Sequence, residues 1–239
     1  MKALLLFLNV CIILTVQAQN NKAAKIIFHP IHHASLVIEY GELTIYVDPA
    51  SDFEKLKQYP KPDIILITHT HGDHLNPELL NGIKTDQSII IGNKAAVDEL
   101  GYGIYLLNGE KKMVKGVYIE AIAMYNTSDD RLMYHKKNNG NGYVITLGSE
   151  KVYISGDTED TKEMRALKNI DYAFVCMNLP FTMTPEQAAS AVIEFNPKVV
   201  YPYHYNQGEG FADIEKFKKL VTENSSTKVI LSDWYSKKN

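Results

Sequence analysis

Between residues 63 and 74 the chain reads Asp63-Ile-Ile-Leu-Ile-Thr68 and then His69-Thr70-His71-Gly72-Asp73-His74. The first half is almost continuously apolar, the pattern of a strand buried on both faces, and such a strand needs packed layers on either side of its sheet. The second half packs three imidazoles and a carboxylate into six positions at the strand's end. Extended backbone alternates its side chains, so His69 and His71 face the same way. Gly72 permits a sharp turn, after which Asp73 and His74 project back toward the same place. Groups of this kind, crowded and desolvated, need a cation to organise them. The segment therefore predicts a strand buried between packed layers with a metal-binding group at its end.

The flanking sequence supplies such layers. Lys25–Phe28, Ser35–Tyr40 and Leu43–Val47 are β-branched and aromatic runs, the last two joined through Gly41-Glu42 as a hairpin. Further strands are predicted at 88–91, 104–107, 117–123, 143–147, 151–154, 172–175 and 199–201. Asn76-Pro77-Glu78 opens a short helix, Thr184-Pro-Glu-Gln187 is a capping box for a helix to about Phe195, and Asp213–Thr222 reads as the last helix. Many strands in two groups with interspersed helices predict two sheets with helices outside, in one domain. The one extended polar tract is the loop 126–142.

The amino end reads differently. Met1-Lys2, the apolar run 3–16 and Val16-Gln17-Ala18 form the pattern of a signal peptide cleaved after Ala18, which leaves residues 19–239 as the mature domain. The run is short for a membrane span and holds Asn9 and Thr15. Export to the periplasm or medium is expected, without stable membrane insertion. One cysteine, Cys176, then remains, in an apolar strand pattern that suits a small core side chain. The net charge of -3 offers no basic field for a polyanion, so nucleic acid is not an expected partner.

His69 to His74 matches His-x-His-x-Asp-His, and here the chain resembles the metallo-β-lactamase superfamily of metal-dependent hydrolases. Val47-Asp48-Pro49, Ser155-Gly-Asp-Thr158 and Pro202-Tyr-His204, each after a predicted strand, extend the resemblance over the whole mature chain. It implies an α+β fold, a single-domain four-layer αββα sandwich. It also implies a pair of divalent ions, usually Zn2+, with Mn2+ or Fe2+ as alternatives. By the resemblance His69 and His71 bind the first ion, Asp73 and His74 the second, Asp157 bridges them, and His204 completes the second site. Asp48 is similar to a residue that orients a ligand imidazole from behind. A third histidine normally completes the first site, but Asn126 stands in that segment; a neutral amide is a weaker ligand than imidazole, and His135 in the following loop is the alternative. Tyr125-Asn126, the polar loop and Gly142-Tyr143 resemble a branch near the ascorbate-phosphate lactonase-like and N-acyl-phosphatidylethanolamine phospholipase-like members.

Two cations about 4 Å apart lower the pKa of a shared water toward about 7, which makes hydrolysis at neutral pH the expected chemistry. Asp73 is a candidate catalytic group for handling the water's proton. His33, in Ile31-His32-His33-Ala34-Ser35, resembles a residue that approaches the site and is a second candidate. Tyr125, Tyr203 and Tyr205 flank the candidate ligands, and Arg131, Lys136 and Lys137 lie in the polar loop. Zinc β-lactamases with a cysteine ligand carry it where this chain has Asp157, so antibiotic hydrolysis is disfavoured. A small ester, lactone or amide is the leading substrate class, a phosphodiester is the alternative, and a metal-binding or ligand-binding protein without catalysis is the reading that Asn126 keeps open.

Overall fold

A computed structural model describes residues 24–208 and 210–235; the signal-peptide reading of 1–18 lies outside the described residues. A six-stranded sheet runs in sequence order through β1 (Ile26–His32), β2 (Ser35–Tyr40), β3 (Leu43–Val47), β4 (Ile64–Leu66), β5 (Ile89–Gly92) and β6 (Ile104–Tyr105). The second sheet has seven strands, β7 (Lys111–Val114), β8 (Val117–Ala123), β9 (Asn141–Leu147), β10 (Glu150–Ile154), β11 (Tyr172–Cys176), β12 (Val199–Tyr203) and β13 (Lys228–Val229), again in sequence order from one edge to the other. In the first sheet β3, β4 and β5 are parallel, and in the second β10 through β13 are parallel.

The alternation along β3 and β4 builds three layers at once. Ile45, Val47, Ile64 and Leu66 point into the core shared with Ile119, Ile145, Val152 and Phe174 of the second sheet. Tyr46, Ile65 and Ile67 point the other way, into a smaller core with Leu56, Leu80, Ile83 and Ala96. Those last residues belong to α1 (Phe53–Leu56), α2 (Pro77–Ile83) and α3 (Lys94–Leu100), which cover the outer face of the first sheet. On the far side α4 (Lys162–Arg165), α5 (Pro185–Phe195) and α6 (Ile214–Asn224) bury Met164, Val192, Phe195, Phe217 and Val221 against the second sheet. The four layers are helices, sheet, sheet, helices, as the sequence predicts.

Local signals account for the elements that position the site. The hairpin pairs Tyr40 with Leu43 across Gly41-Glu42, with Gly41 at φ 61°. Asn76 caps α2 ahead of Pro77, and the Thr184–Gln187 capping box forms with both reciprocal bonds. The predicted strand 63–68 is shorter than its apolar run: ladder pairing ends near Ile67, and the next N–H, of Thr68, is taken by the Asp48 carboxylate instead. Strands β7 and β13 and the helices α1, α3 and α4 are absent from the sequence-based reading. They are two to seven residues long, and their existence rests on edges and caps rather than on periodicity.

Thr184→Ala removes the oxygen that accepts the Gln187 N–H and is expected to cost about 1 kcal/mol. Urea unfolding should show a lower midpoint with an unchanged m-value; an unchanged midpoint would remove the capping box from the account of α5.

Candidate metal centre

β3 ends at Val47, and Asp48 then turns into left-handed backbone at φ 42°. Its fully buried carboxylate accepts the Thr68 N–H at 2.8 Å on Oδ1. On Oδ2 it accepts the Thr68 hydroxyl at 2.7 Å and the His74 Nδ1–H at 2.8 Å. The Thr68 hydroxyl, having given its hydrogen to Asp48, accepts from His69 Nδ1 at 3.0 Å. One carboxylate thus fixes two rings, His74 directly and His69 through Thr68, and leaves Nε2 of each as a lone-pair donor.

Those free nitrogens meet the other candidate residues. Nε2 of His69 lies 3.0 Å from Nδ1 of His71, and Nε2 of His74 lies 3.0 Å from Nε2 of His204. Asp157 stands between: its Oδ2 is 3.5 Å from His135 Nε2, and its Oδ1 is 3.5 Å from both His74 Nε2 and His204 Nε2. Asp73 Oδ2 is 3.3 Å from His204 Nε2 and 3.1 Å from His33 Nε2. Three sets of potential ligand atoms result, each within 4.8 Å: His69, His71 and His135; His69, His74 and Asp157; His33, Asp73 and His204. Gly156 makes this approach feasible. It sits at φ 61°, and a Cβ there would lie 2.5 Å from the Met124 sulfur and 3.1 Å from Thr68 Cβ.

The Asn126 side-chain nitrogen donates to the carbonyls of Phe181 at 2.7 Å and Arg131 at 2.9 Å, its Oδ1 is buried with no hydrogen-bond partner, and its backbone N–H donates to the His135 carbonyl. The residue that stands in the histidine's segment therefore shapes the loop that carries His135 inward, and His135 is the third imidazole beside His69 and His71. Nδ1 of His135 is held by the Phe181 carbonyl at 3.2 Å, which leaves Nε2 facing Asp157.

The loop itself is fastened by Glu159, two residues beyond Asp157. Its buried carboxylate accepts the backbone N–H groups of Thr127 and Ser128, each at 2.6 Å, the Ser128 hydroxyl at 2.7 Å, and Arg131 Nη1 at 2.7 Å. Arg131 also donates to the Thr182 carbonyl and to Gln187 Oε1. Arg131 is thus committed to the scaffold and is not available to a substrate. Of the tyrosines flanking the ligands, Tyr125 donates to Glu163 and Tyr205 to the Ser232 carbonyl, while the Tyr203 hydroxyl is buried with no hydrogen-bond partner. Spacing gave no access to Glu159, Tyr134, Phe181 or Tyr235, because each reaches the site only through tertiary contact.

A cleft of about 390 Å3 opens onto the cluster, and His33, His71, Asp73, His135 and Asp157 form its floor. Tyr134, Phe181, Asn178 and Asn206 form its walls, and none of the described lining residues is Lys or Arg. The Tyr134 and Phe181 rings meet edge to face at 5.0 Å.

The electrostatics fit a cation. Burial opposes ionisation of Asp157, but the imidazoles of His204, His74 and His135 outweigh it and hold the carboxyl well below its usual range. Asp73 is lowered too, hydrogen bonds from His204 and His33 overcoming its burial. Burial lowers His69, His135 and His33, which keeps these rings neutral and able to donate a lone pair. His74 moves the other way: against its burial, Asp157 and Asp48 raise it, so the carboxylates call for positive charge at that point. Nε2 of His135 and Oδ1 of Asp157 are buried with no hydrogen-bond partner. Buried polar atoms of this kind ordinarily find partners, and a divalent cation supplies one for both.

The family described as the β-lactamase superfamily domain matches residues 28–204. A UPF0173 metal-dependent hydrolase of Thermococcus onnurineus is 34% identical over 215 residues, covering 83% of this chain and 93% of the relative. A crystal structure of a protein described as a metal-dependent hydrolase from Parabacteroides distasonis superposes with a TM-score of 0.80 at 40% identity, over 86% of this chain and 92% of that one. A metallo hydrolase of the archaeon Ignicoccus hospitalis shares the fold at 23% identity, with a TM-score of 0.75 over 88% of this chain and 96% of that one. The chain belongs to the metallo-β-lactamase superfamily.

The clamp at Glu159 predicts a pH dependence. Burial raises its pKa, but hydrogen bonds from Ser128 and Thr127 outweigh that and bring it to about 2, against an ordinary 4.5. A carboxyl lowered on folding stabilises the protein fully above its unfolded value and loses that contribution as pH falls toward the folded one. Wild type should therefore exceed Glu159→Gln in melting temperature by a margin that is greatest above about pH 5 and shrinks toward about pH 2. A margin independent of pH would show that the charge of Glu159 does not fasten the loop.

Proposed function

We propose that this metal-dependent hydrolase cleaves a small, neutral ester, lactone or amide, acts outside the cytoplasm after export, and uses two divalent ions, zinc in the first instance. The observation that carries the reading is the convergence of imidazole nitrogens on the Asp157 carboxylate at the floor of a cleft whose described walls bear no cationic side chain. An anionic phosphodiester would be expected to meet Lys or Arg there, so the acyl substrate is the better match.

His69, His71 and His135 would hold one ion, Asp73, His74 and His204 the other, and Asp157 would contribute an oxygen to each. When bound, the ions supply Lewis acidity toward the substrate oxygen and acidify water. The chain's own groups do the remaining work. Asp48 and Thr68 keep His74 and His69 in the ligand tautomer. Asp73, the one half-exposed carboxylate of the cluster, takes the proton of the attacking water and returns it to the leaving oxygen or nitrogen as the acyl bond breaks. Asn178 and Asn206 on the walls can donate to a polar substrate, and Tyr134 with Phe181 offers it an apolar seat.

Protein purified without chelator or added metal should carry two ions per chain by elemental analysis, and His135→Ala should carry one. An unchanged content in that variant would remove His135 from the ligand set. Against a panel of p-nitrophenyl esters, lactones, anilides and bis-p-nitrophenyl phosphate, turnover is expected on the first three classes, with His71→Ala lowering it at least 100-fold. Turnover confined to the phosphodiester would replace the proposed substrate class, and full metal content without any turnover would favour a binding protein.

A further inference from the structure

His33 poses a question that the ligand sets leave open. Its Nε2 lies 3.1 Å from Asp73 Oδ2, and its ring lies tilted by 37° against that of His204 at 3.9 Å between centroids. The same placement suits either a ligand of the second ion or a hydrogen-bond donor to Asp73. The two roles need opposite tautomers: a ligand presents a bare Nε2, a donor presents Nε2–H.

The far end of the described chain decides between them. The Tyr235 hydroxyl accepts two backbone N–H groups, from Tyr205 at 3.1 Å and from Asn206 at 3.2 Å. A hydroxyl oxygen has two lone pairs and one hydrogen. With both lone pairs engaged, the hydrogen is left for the remaining neighbour, His33 Nδ1, at 3.0 Å. Nδ1 is therefore the acceptor of that bond, and the single ring proton of His33 sits on Nε2, facing Asp73. The tyrosine ring has little freedom to do otherwise, being packed against His32, Tyr205 and Phe211 at centroid distances of 5.4, 4.9 and 4.9 Å. The His33 backbone is itself committed, at φ 56°.

We propose that Tyr235 is a positioning residue that locks His33 as an Nε2–H donor to Asp73, which keeps His33 out of the metal ligand set and holds the Asp73 carboxylate in its orientation toward the cleft. The tautomer follows from hydrogen bonding alone. Its use in catalysis rests on the metal site and hydrolytic reading proposed above.

The test uses 15N-histidine-labelled full-length protein, as purified and after loading with 113Cd2+. Long-range 15N–1H spectra should show His33 with a protonated Nε2 and a hydrogen-bonded, unprotonated Nδ1, and the cadmium sample should show no 113Cd coupling to His33 while His74 and His204 are coupled. Tyr235→Phe keeps the packing and removes only the hydroxyl. There the His33 Nδ1 resonance should move to that of an acceptor without a donor, metal content should stay at the wild-type level, and kcat on the best p-nitrophenyl ester should fall about 10-fold or more with KM within about 2-fold, the range seen when a ligand's supporting partner is lost. An Nδ1–H tautomer in wild type, or a cadmium coupling at His33, overturns the proposal. So does a Tyr235→Phe protein with unaltered kcat, or one that loses metal. If wild type binds no metal and hydrolyses nothing, the functional reading fails, and the His33 spectra still report on the tautomer by themselves.

Discussion

The architecture of the site depends on one buried anion. Asp48 is wholly removed from water, and a bare carboxylate in such a place is costly unless its oxygens are saturated. Saturation comes from Thr68 and His74, on the segment that follows the neighbouring parallel strand. The same bonds that make Asp48 tolerable end the β4 ladder, turn the chain out of the sheet and fix the tautomers of two imidazoles. Strand termination, loop geometry and ligand chemistry are therefore consequences of a single requirement. The second sheet answers from across the core: β10 delivers Asp157 and β12 delivers His204 to the same edge.

Two clamps bring the remaining groups to that edge. Glu159 folds the 126–135 loop so that His135 arrives beside His69 and His71, and Tyr235 backs His33 across 202 residues of sequence. Each clamp is a hydrogen-bond acceptor that gathers backbone N–H groups from a segment with no regular structure of its own. The rigid sheets thus supply part of the cluster, and the loops supply the rest only after they have been tied to the sheets. Such an arrangement places the walls of the cleft, Tyr134 and Phe181, and His135 of its floor on loops, while the other floor residues follow directly on strand ends or turns.

Much of this was readable in the residues. The apolar run before Thr68 specified a strand buried on both faces, the two-residue spacing of His69 and His71 specified a common direction, and Asp157 and His204 each followed a recognisable strand. The grouping of strands and helices pointed to two sheets with helices outside, and the resemblance implied the four-layer αββα order. The third imidazole was less accessible. Asn126 occupied the segment where a histidine was sought, and sequence could offer His135 only as an alternative, since what brings it inward is a carboxylate 24 positions away. Arg131 read only as one of several charges in the polar loop, because its partner Glu159 carries no spacing signal. Short helices such as α1 and α4 escaped for a related reason: at four residues they express a cap and a contact, not a period.

Among the described non-glycine residues in left-handed backbone are His33, Asp48 and His204, at φ 56°, 42° and 47°. Asp and His are both enriched among the non-glycine residues that adopt that region, which still carries a cost of order 1–3 kcal/mol. Glycine would adopt it without strain. Selection for foldability alone would thus drift these positions toward glycine and toward a quieter, sturdier molecule. Two imidazoles held in a backbone that glycine would adopt freely show this chain carrying its site chemistry at a cost in stability.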